Sequence, residues 1–148
     1  MIKSGIILLI IGLAMTSCSG SKNAISKSSE SALYDITWEL EYLSESQKDF
    51  KEMYPDKNPF IQLKKANTQF SGNTGCNDFG GIYHQKVNAI RFEIQRTTMA
   101  YCESGGEEAF LKMLSQINRF AIDNDGKLLL LTDDIPMMRF KKISPDKS

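Results

Sequence analysis

The chain carries one histidine, three cysteines, four prolines and one tryptophan among its 148 residues. So few histidines and cysteines exclude most of the dedicated four-ligand clusters that build structural metal sites. Charge of neither sign is in excess, since 18 Lys and Arg balance 18 Asp and Glu. With no dense basic block, the electrostatic footprint of a nucleic-acid binder is missing, which argues against nucleic acid as the partner. No apolar run reaches the roughly 20 residues that a membrane-spanning helix requires, and no repeat of solenoid length is visible. What remains is a hydrophobic fraction of 41% and a charged fraction of 24%. Those values suit one packed domain with an appendage.

The appendage is N-terminal. Lys3 supplies a positive start, and Gly5 to Leu13 is an apolar run with the length of a signal-peptide core. Met15-Thr16-Ser17 then leads into Cys18, and small residues directly before a cysteine at this place resemble a bacterial lipobox. Residues 1–17 therefore read as a signal peptide cleaved between Ser17 and Cys18, whose thiol would accept a diacylglycerol. A single acyl chain anchors only marginally, so the thioether lipid together with N-acylation meets the need for more than one chain. Loss of residues 1–17 removes one lysine, and the balance becomes 17 − 18 = −1. Ser19 stands where an aspartate would retain a lipoprotein at the inner membrane, which points to the outer membrane. Residues 18–32 form the lipidated cysteine and a flexible tether. Six serines fall between Ser19 and Ser31, and too little apolar surface is there to offset chain entropy.

The folded domain spans residues 33–143, with a short tail at 144–148. Trp38, Leu40 and Tyr42 share one face at period two, which predicts a first strand over Ile36–Leu43. Ser44 to Pro59 reads as a long polar loop with one helical turn at Gln47–Met53, followed by a short strand at Phe60–Leu63. Phe70 to Tyr83 holds four glycines and two asparagines. Those residues tolerate positive φ, so the segment is expected to bend tightly more than once, pinned by Phe70, Phe79 and Tyr83. Strands follow at Gly81–His84 and Ala89–Ile94, the second with Ile90, Phe92 and Ile94 on one face. Ser104 and Glu107 are spaced as a capping box. The stripe of Phe110, Met113, Leu114 and Ile117 then predicts a helix over Glu107–Asn118. Arg119–Ile122 and Lys127–Leu131 read as a hairpin about a two-residue Asp125-Gly126 turn, its leucine run covered on both faces. Pro136 breaks the chain before a last strand, Met138–Ile143. The fold class is α+β: about eight mostly antiparallel strands in a strongly curved sheet with one helix packed on it.

The run Phe70-Ser71-Gly72-Asn73-Thr74-Gly75-Cys76-Asn77, then Phe79-Gly80-Gly81-Ile82-Tyr83, resembles the META/HslJ-like domain of bacterial envelope proteins. The tryptophan strand, Thr98-Met99-Ala100 followed by a cysteine, and the later helix and leucine strand agree with it in order. The motif residues are Gly72, Asn73, Gly75, Cys76, Asn77, Gly81, Thr98 and Met99. The resemblance implies a compact curved sheet with a helix, often carried by a lipoprotein, and in some members a link to heat shock or antibiotic resistance. No catalytic residue is carried over. Members usually place the second cysteine directly after Met-Ala, whereas Tyr101 intervenes here, and in a regular strand that would turn Cys102 to the other face.

With Cys18 lipidated, Cys76 and Cys102 remain as a pair in an oxidising compartment. The expectation is a structural disulfide between Cys76 and Cys102, with two free thiols or a redox pair as the alternatives; the wide spacing disfavours the last. A Cys76–His84 nucleophile needs direct contact that spacing does not reveal. A metal set of Cys76, Cys102 and His84 lacks ligand spacing, and Gly72–Gly75 lacks the lysine and helix of a phosphate loop. Asp123, Asp125, Asp133 and Asp134 read as solvated turn residues rather than a calcium site. No cofactor is implied. The functional expectation is a non-catalytic, membrane-anchored envelope lipoprotein that binds a protein or small ligand during envelope stress. The alternative is a lipidated assembly factor escorting an outer-membrane component, which an apolar groove between sheet and helix would favour.

Overall fold

The computed structural model describes residues 31–44 and 48–144. The expected signal peptide with Ser17, the expected lipid site Cys18, most of the expected tether and residues 145–148 lie outside the described residues. Eight antiparallel strands follow one another around a barrel in chain order: β1 (Thr37–Leu43), β2 (Phe60–Lys64), β3 (Gln69–Asn73), β4 (Asp78–Lys86), β5 (Ala89–Thr97), β6 (Arg119–Ile122), β7 (Leu128–Thr132) and β8 (Ile135–Ile143). Pairing of β8 with β1 closes it. The curved sheet expected from the sequence thus curls fully on itself, which removes its edge strands. Two helices complete the α+β fold, α1 (Phe50–Met53) and α2 (Gly106–Gln116).

An eight-stranded barrel is just wide enough for side chains to fill it. Trp38, Phe70, Phe110 and Phe140 are each almost fully buried. Burying side chains of this size stabilises by roughly 1.5–3 kcal/mol apiece. Helix α2 connects β5 to β6, whose ladder has the single register pair Ala89–Arg119, and buries its apolar stripe in the core. Its Phe110 meets Phe79 and Phe140 edge-on, at centroid distances of 5.5 and 6.4 Å.

The structure departs from the expected pattern wherever the chain adds a residue to a ladder. A register shift against β8 between Leu40 and Tyr42 turns Tyr42 outward, to 46% exposure, and brings Leu43 inside. Tyr42 therefore does not share the face of Trp38 and Leu40. A second shift, between Leu130 and Leu131, accommodates Pro136 within β8 rather than before it. Leu128 and Leu130 are buried, whereas Leu129 and Leu131 are half-buried, so the leucine run is covered fully on one face only. At the hairpin, Gly126 alone has positive φ (75°), and its amide donates to Asp123 while the Asp123 amide donates to Lys127. This is a type I turn with a glycine bulge, in place of the expected two-residue turn. Asp123 Oδ1 secures it by accepting from the amides of Asp125 and Lys127.

Most of the glycine-rich segment is strand, not loop. Gly72, Gly80 and Gly81 lie within β3 and β4, and only Gly75 has positive φ, at 93°. The strand glycines serve close approach: a Cβ on Gly81 would lie 1.9 Å from the Glu93 carbonyl oxygen, and one on Gly72 would lie 2.1 Å from that of Phe60. Of the expected turn at Gln47–Met53, Gln47 lies outside the described residues. Phe50–Met53 of it forms α1, capped by Asp49 accepting from the Lys51 amide at 2.8 Å.

Candidate functional site

At one end of the barrel, four residues between β3 and β4 make a turn whose polar groups are almost wholly used. The Thr74 amide donates to the Asn77 carbonyl at 2.8 Å, and the Asn77 amide returns to Thr74 Oγ1 at 2.9 Å. Asn73 Oδ1 accepts from the Gly75 amide, and its Nδ2 donates to Asp78. Gly75 is needed twice, for its φ and because a Cβ there would sit 2.8 Å from the Tyr54 ring. Tyr54 follows α1 and wedges its ring between Gly75 and Gly106. Its hydroxyl donates to the Gly106 carbonyl at 2.9 Å. Burial pushes its pKa far up, so it stays a neutral donor.

Asn77 is the hub. Though only 2% exposed, its side chain bonds on both sides. Oδ1 accepts from the Ala100 amide and from Thr98 Oγ1, each at 2.8 Å, and Nδ2 donates to the Ala100 carbonyl at 3.0 Å. The segment after β5 is thereby held without being a strand. Cys76 and Cys102 are joined in a disulfide, with Cα atoms 6.2 Å apart, within the usual span for a bridge. The extra Tyr101 does not prevent it because β5 ends at Thr97. Strand alternation no longer applies beyond that point, and Tyr101 swings out to 87% exposure. Cys76 is itself exposed, not buried within the motif.

Glu107 does not close a capping box. Gly105, in the left-handed region, takes the N-cap position of α2 with no side-chain cap bond; Ser104 Oγ accepts only from Gly106, at 3.3 Å. The Glu107 carboxylate reaches across the turn instead. Thr74 Oγ1 donates to its Oε2 at 2.5 Å and Asn77 Nδ2 to its Oε1 at 3.2 Å, and Oε2 lies 3.7 Å from Cys102 Sγ. Two tertiary bonds replace one local one.

The motif residues Asn73, Gly75, Cys76, Asn77 and Thr98 thus converge, while Gly72 and Gly81 belong to the barrel wall and Met99 points away from the network. Met99 is 97% exposed beside Tyr101, on a loop braced by the disulfide and Asn77. An open cleft of about 600 Å³ lies beside that loop, between Tyr101–Glu103 and the Pro55 and Asp56 that follow α1. His84 lies toward the opposite end of β4, 3.6 Å from Glu93 on the exposed surface. Six residues of strand, about 20 Å, separate it from the Asp78 end, so neither the Cys76–His84 pair nor a metal set with His84 is assembled. Asp133 and Asp134 bond to Asn118 and Arg119 as turn residues. Tyr54 and the true partners of Glu107 escaped the sequence reading. Their contacts join segments tens of residues apart, and no local spacing marks them.

A family model for the META domain matches residues 31–144. Among solved structures, the chain is similar to a protein from Burkholderia xenovorans determined by NMR, with a TM-score of 0.64 and 19% identity. The match covers 91% of this chain and 100% of that one, and at this identity the likeness is one of fold. No curated protein matches the sequence.

Proposed function

Because the chain belongs to the META domain family, we propose that it is a lipid-anchored protein of the bacterial envelope whose barrel is a non-catalytic binding module for another protein. The observation that carries this reading is the braced loop that holds Met99 and Tyr101 at 97% and 87% exposure. Two large apolar side chains fixed in solvent are a liability unless something covers them. A disulfide and a buried asparagine keep them from folding back. The filled barrel supports the same reading, since its interior is occupied by its own side chains. The disulfide also leaves no thiolate at Cys76 to act as a nucleophile.

The anchor is tested by intact mass of membrane-extracted protein, where lipid on Cys18 is expected and Cys18→Ser should release the protein to the soluble fraction. The contact is tested with a photocrosslinking residue at position 101, using position 135 as the control, since Ile135 is also apolar and 65% exposed. A discrete adduct from position 101, absent from 135, is expected in intact cells. The same ladder from both positions would sink the contact reading. The assembly-factor alternative draws on a second feature, a groove of about 280 Å³ between the end of β1 and α2, lined by Leu43, Ala109 and Met113. Its rim carries Glu108, Lys112 and Gln116. Adducts from position 109 in place of 101 would favour it.

A further inference from the structure

We propose that Cys76, Cys102 and Glu107 form a zinc site that is closed in the oxidised protein and opens on reduction of the disulfide. The sulfur atoms and the nearest carboxylate oxygen all lie within 4.8 Å of one another. Thiolate and carboxylate are both ligands that zinc accepts, at about 2.3 and 2.0–2.2 Å. Tetrahedral geometry at those lengths separates sulfur from oxygen by about 3.5 Å and the two sulfurs by about 3.8 Å. Glu107 Oε2 already stands 3.7 Å from Cys102 Sγ. The sulfurs, once released from each other, have only to turn apart to reach that spacing. A Cα separation of 6.2 Å leaves room for that through side-chain rotation alone.

The surroundings are those of a supported ligand set. Metal-binding carboxylates and thiolates are oriented by outer hydrogen bonds. Glu107 receives such bonds from Thr74 and Asn77, and Asn77 Nδ2 also lies 3.2 Å from Cys102 Sγ, where it would donate to a thiolate. Cys76 is exposed, so an ion can enter from solvent and keep a fourth position open to water. His84, the other residue type expected in such a site, plays no part.

The chemistry balances in two steps. A dithiol reductant delivers two electrons and two protons to the Cys76–Cys102 bond and becomes a disulfide itself, leaving two thiols. Zinc then displaces both thiol protons, so each ion bound releases two. Oxidation reverses the sequence: a disulfide oxidant takes two electrons from the sulfurs and two protons from water to become a dithiol, while the sulfurs bond to each other and expel the ion. The inference is independent of the protein-contact reading, because its readout is metal uptake by purified protein.

The test is titration of the purified whole chain with Zn²⁺ against a chromogenic chelator, and with Cd²⁺ followed by its thiolate charge-transfer absorption. The reduced protein should bind one ion and the oxidised protein none. Cys18→Ser should leave that stoichiometry unchanged, and so should Glu108→Gln, which alters an exposed neighbour outside the set. Glu107→Gln should weaken zinc by about tenfold or more. Tyrosine and tryptophan spectra of its oxidised form check that the barrel persists, and Glu107→Asp, which keeps the charge but shortens the reach, should fall between the two. Absence of uptake by the reduced protein overturns the proposal. Equal affinity in Glu107→Gln removes the carboxylate and overturns the three-residue site. If reduction alone unfolds the domain, stoichiometric zinc should restore the fold, and failure to restore it counts against the site.

Discussion

Strand β4 ends in two turns of opposite character. At its start, Thr74–Asn77 packs against the Tyr54 ring and is tied to the Thr98–Cys102 segment and to Glu107 by hydrogen bonds and a disulfide. At its end, Val87 and Asn88 turn the chain into β5 in the open. Val87 there adopts φ of 58° and is 57% exposed. A β-branched residue is poorly suited to that conformation, and the turn is held by fewer ties, Gln85 Nε2 donating to the Val87 carbonyl and the Phe120 amide to that of Asn88. The first turn uses glycine, asparagine and threonine where each is required by geometry, whereas the second tolerates a strained valine. Both turns serve the same barrel equally well as connections. The difference therefore reflects what the first turn holds in place, the loop of Met99 and Tyr101, more than what barrel closure needs.

The largest effect is expected between the two turns, in the wall they share. Gly81→Val would drive a side chain into the Glu93 carbonyl, with a Cβ position 1.9 Å away. Because the obstacle is paired backbone of β5, relief requires parting β4 from β5. A loss of about 3 kcal/mol or more, or failure to fold, is expected in urea titration. Near-normal stability would mean that the strands can separate there at little cost, and the wall would not be the common support assumed for both ends.

The braced end should come next. Replacing both Cys76 and Cys102 by serine opens a loop of about 27 residues and should cost roughly 3.5 kcal/mol by chain entropy. Asn77→Ala leaves the Ala100 amide and carbonyl without their partner and should cost about 2–3 kcal/mol. Because the disulfide and Asn77 restrain the same segment, the triple variant should lose less than the sum of the two. Simple additivity would show that they act as separate braces and that the loop is not one unit.

How far these regions were legible in the sequence follows from the range of their contacts. Ile90, the α2 stripe and the Trp38 strand are governed by periodicity, which local sequence carries, and they fall where the pattern puts them. Tyr42 does not, because a bulge against β8 is decided by pairing with a strand nearly 100 residues away. Gly72 and Gly81 look like turn residues, since glycine's two uses, positive φ and close approach, leave the same letter in the sequence. Glu107 has the spacing of a capping box and the reach of a tertiary ligand, and only the placement of Thr74 and Asn77 decides between them. The META motif was recognisable as a set of residues. Its division into wall and hub was not.

At the more lightly held end the expected effect reverses sign. Val87→Gly should stabilise by up to about 1 kcal/mol, since glycine adopts the observed φ without the penalty borne by a β-carbon. Glycine's greater freedom in the unfolded chain offsets part of that gain. Measured destabilisation instead would mean that Val87 makes a contact worth keeping, and the contrast between the two ends would weaken.

The seam that closes the barrel, away from both turns, offers the smallest effect and a check on the scale of the others. Glu41 on β1 accepts from Lys127 and Arg139, each at 2.7 Å, beside the β7–β8 hairpin. Burial pushes its carboxyl upward, but the hydrogen bonds and charges of Lys127 and Arg139 outweigh that, and its pKa is lowered overall. A carboxyl lowered on folding adds stability above its unfolded pKa and loses it as pH falls through the folded one. Both basic partners are partly exposed, which limits the contribution to less than about 1 kcal/mol. Glu41→Gln should therefore cost a fraction of a kcal/mol at neutral pH, and the gap from the native protein should close as pH drops through the carboxylate range. A gap that persists in acid would assign the loss to packing of the side chain rather than to its charge. A gap as large as that of Asn77→Ala would mean that solvent-facing pairs brace this barrel as strongly as the buried network does, and the braced end would no longer stand apart.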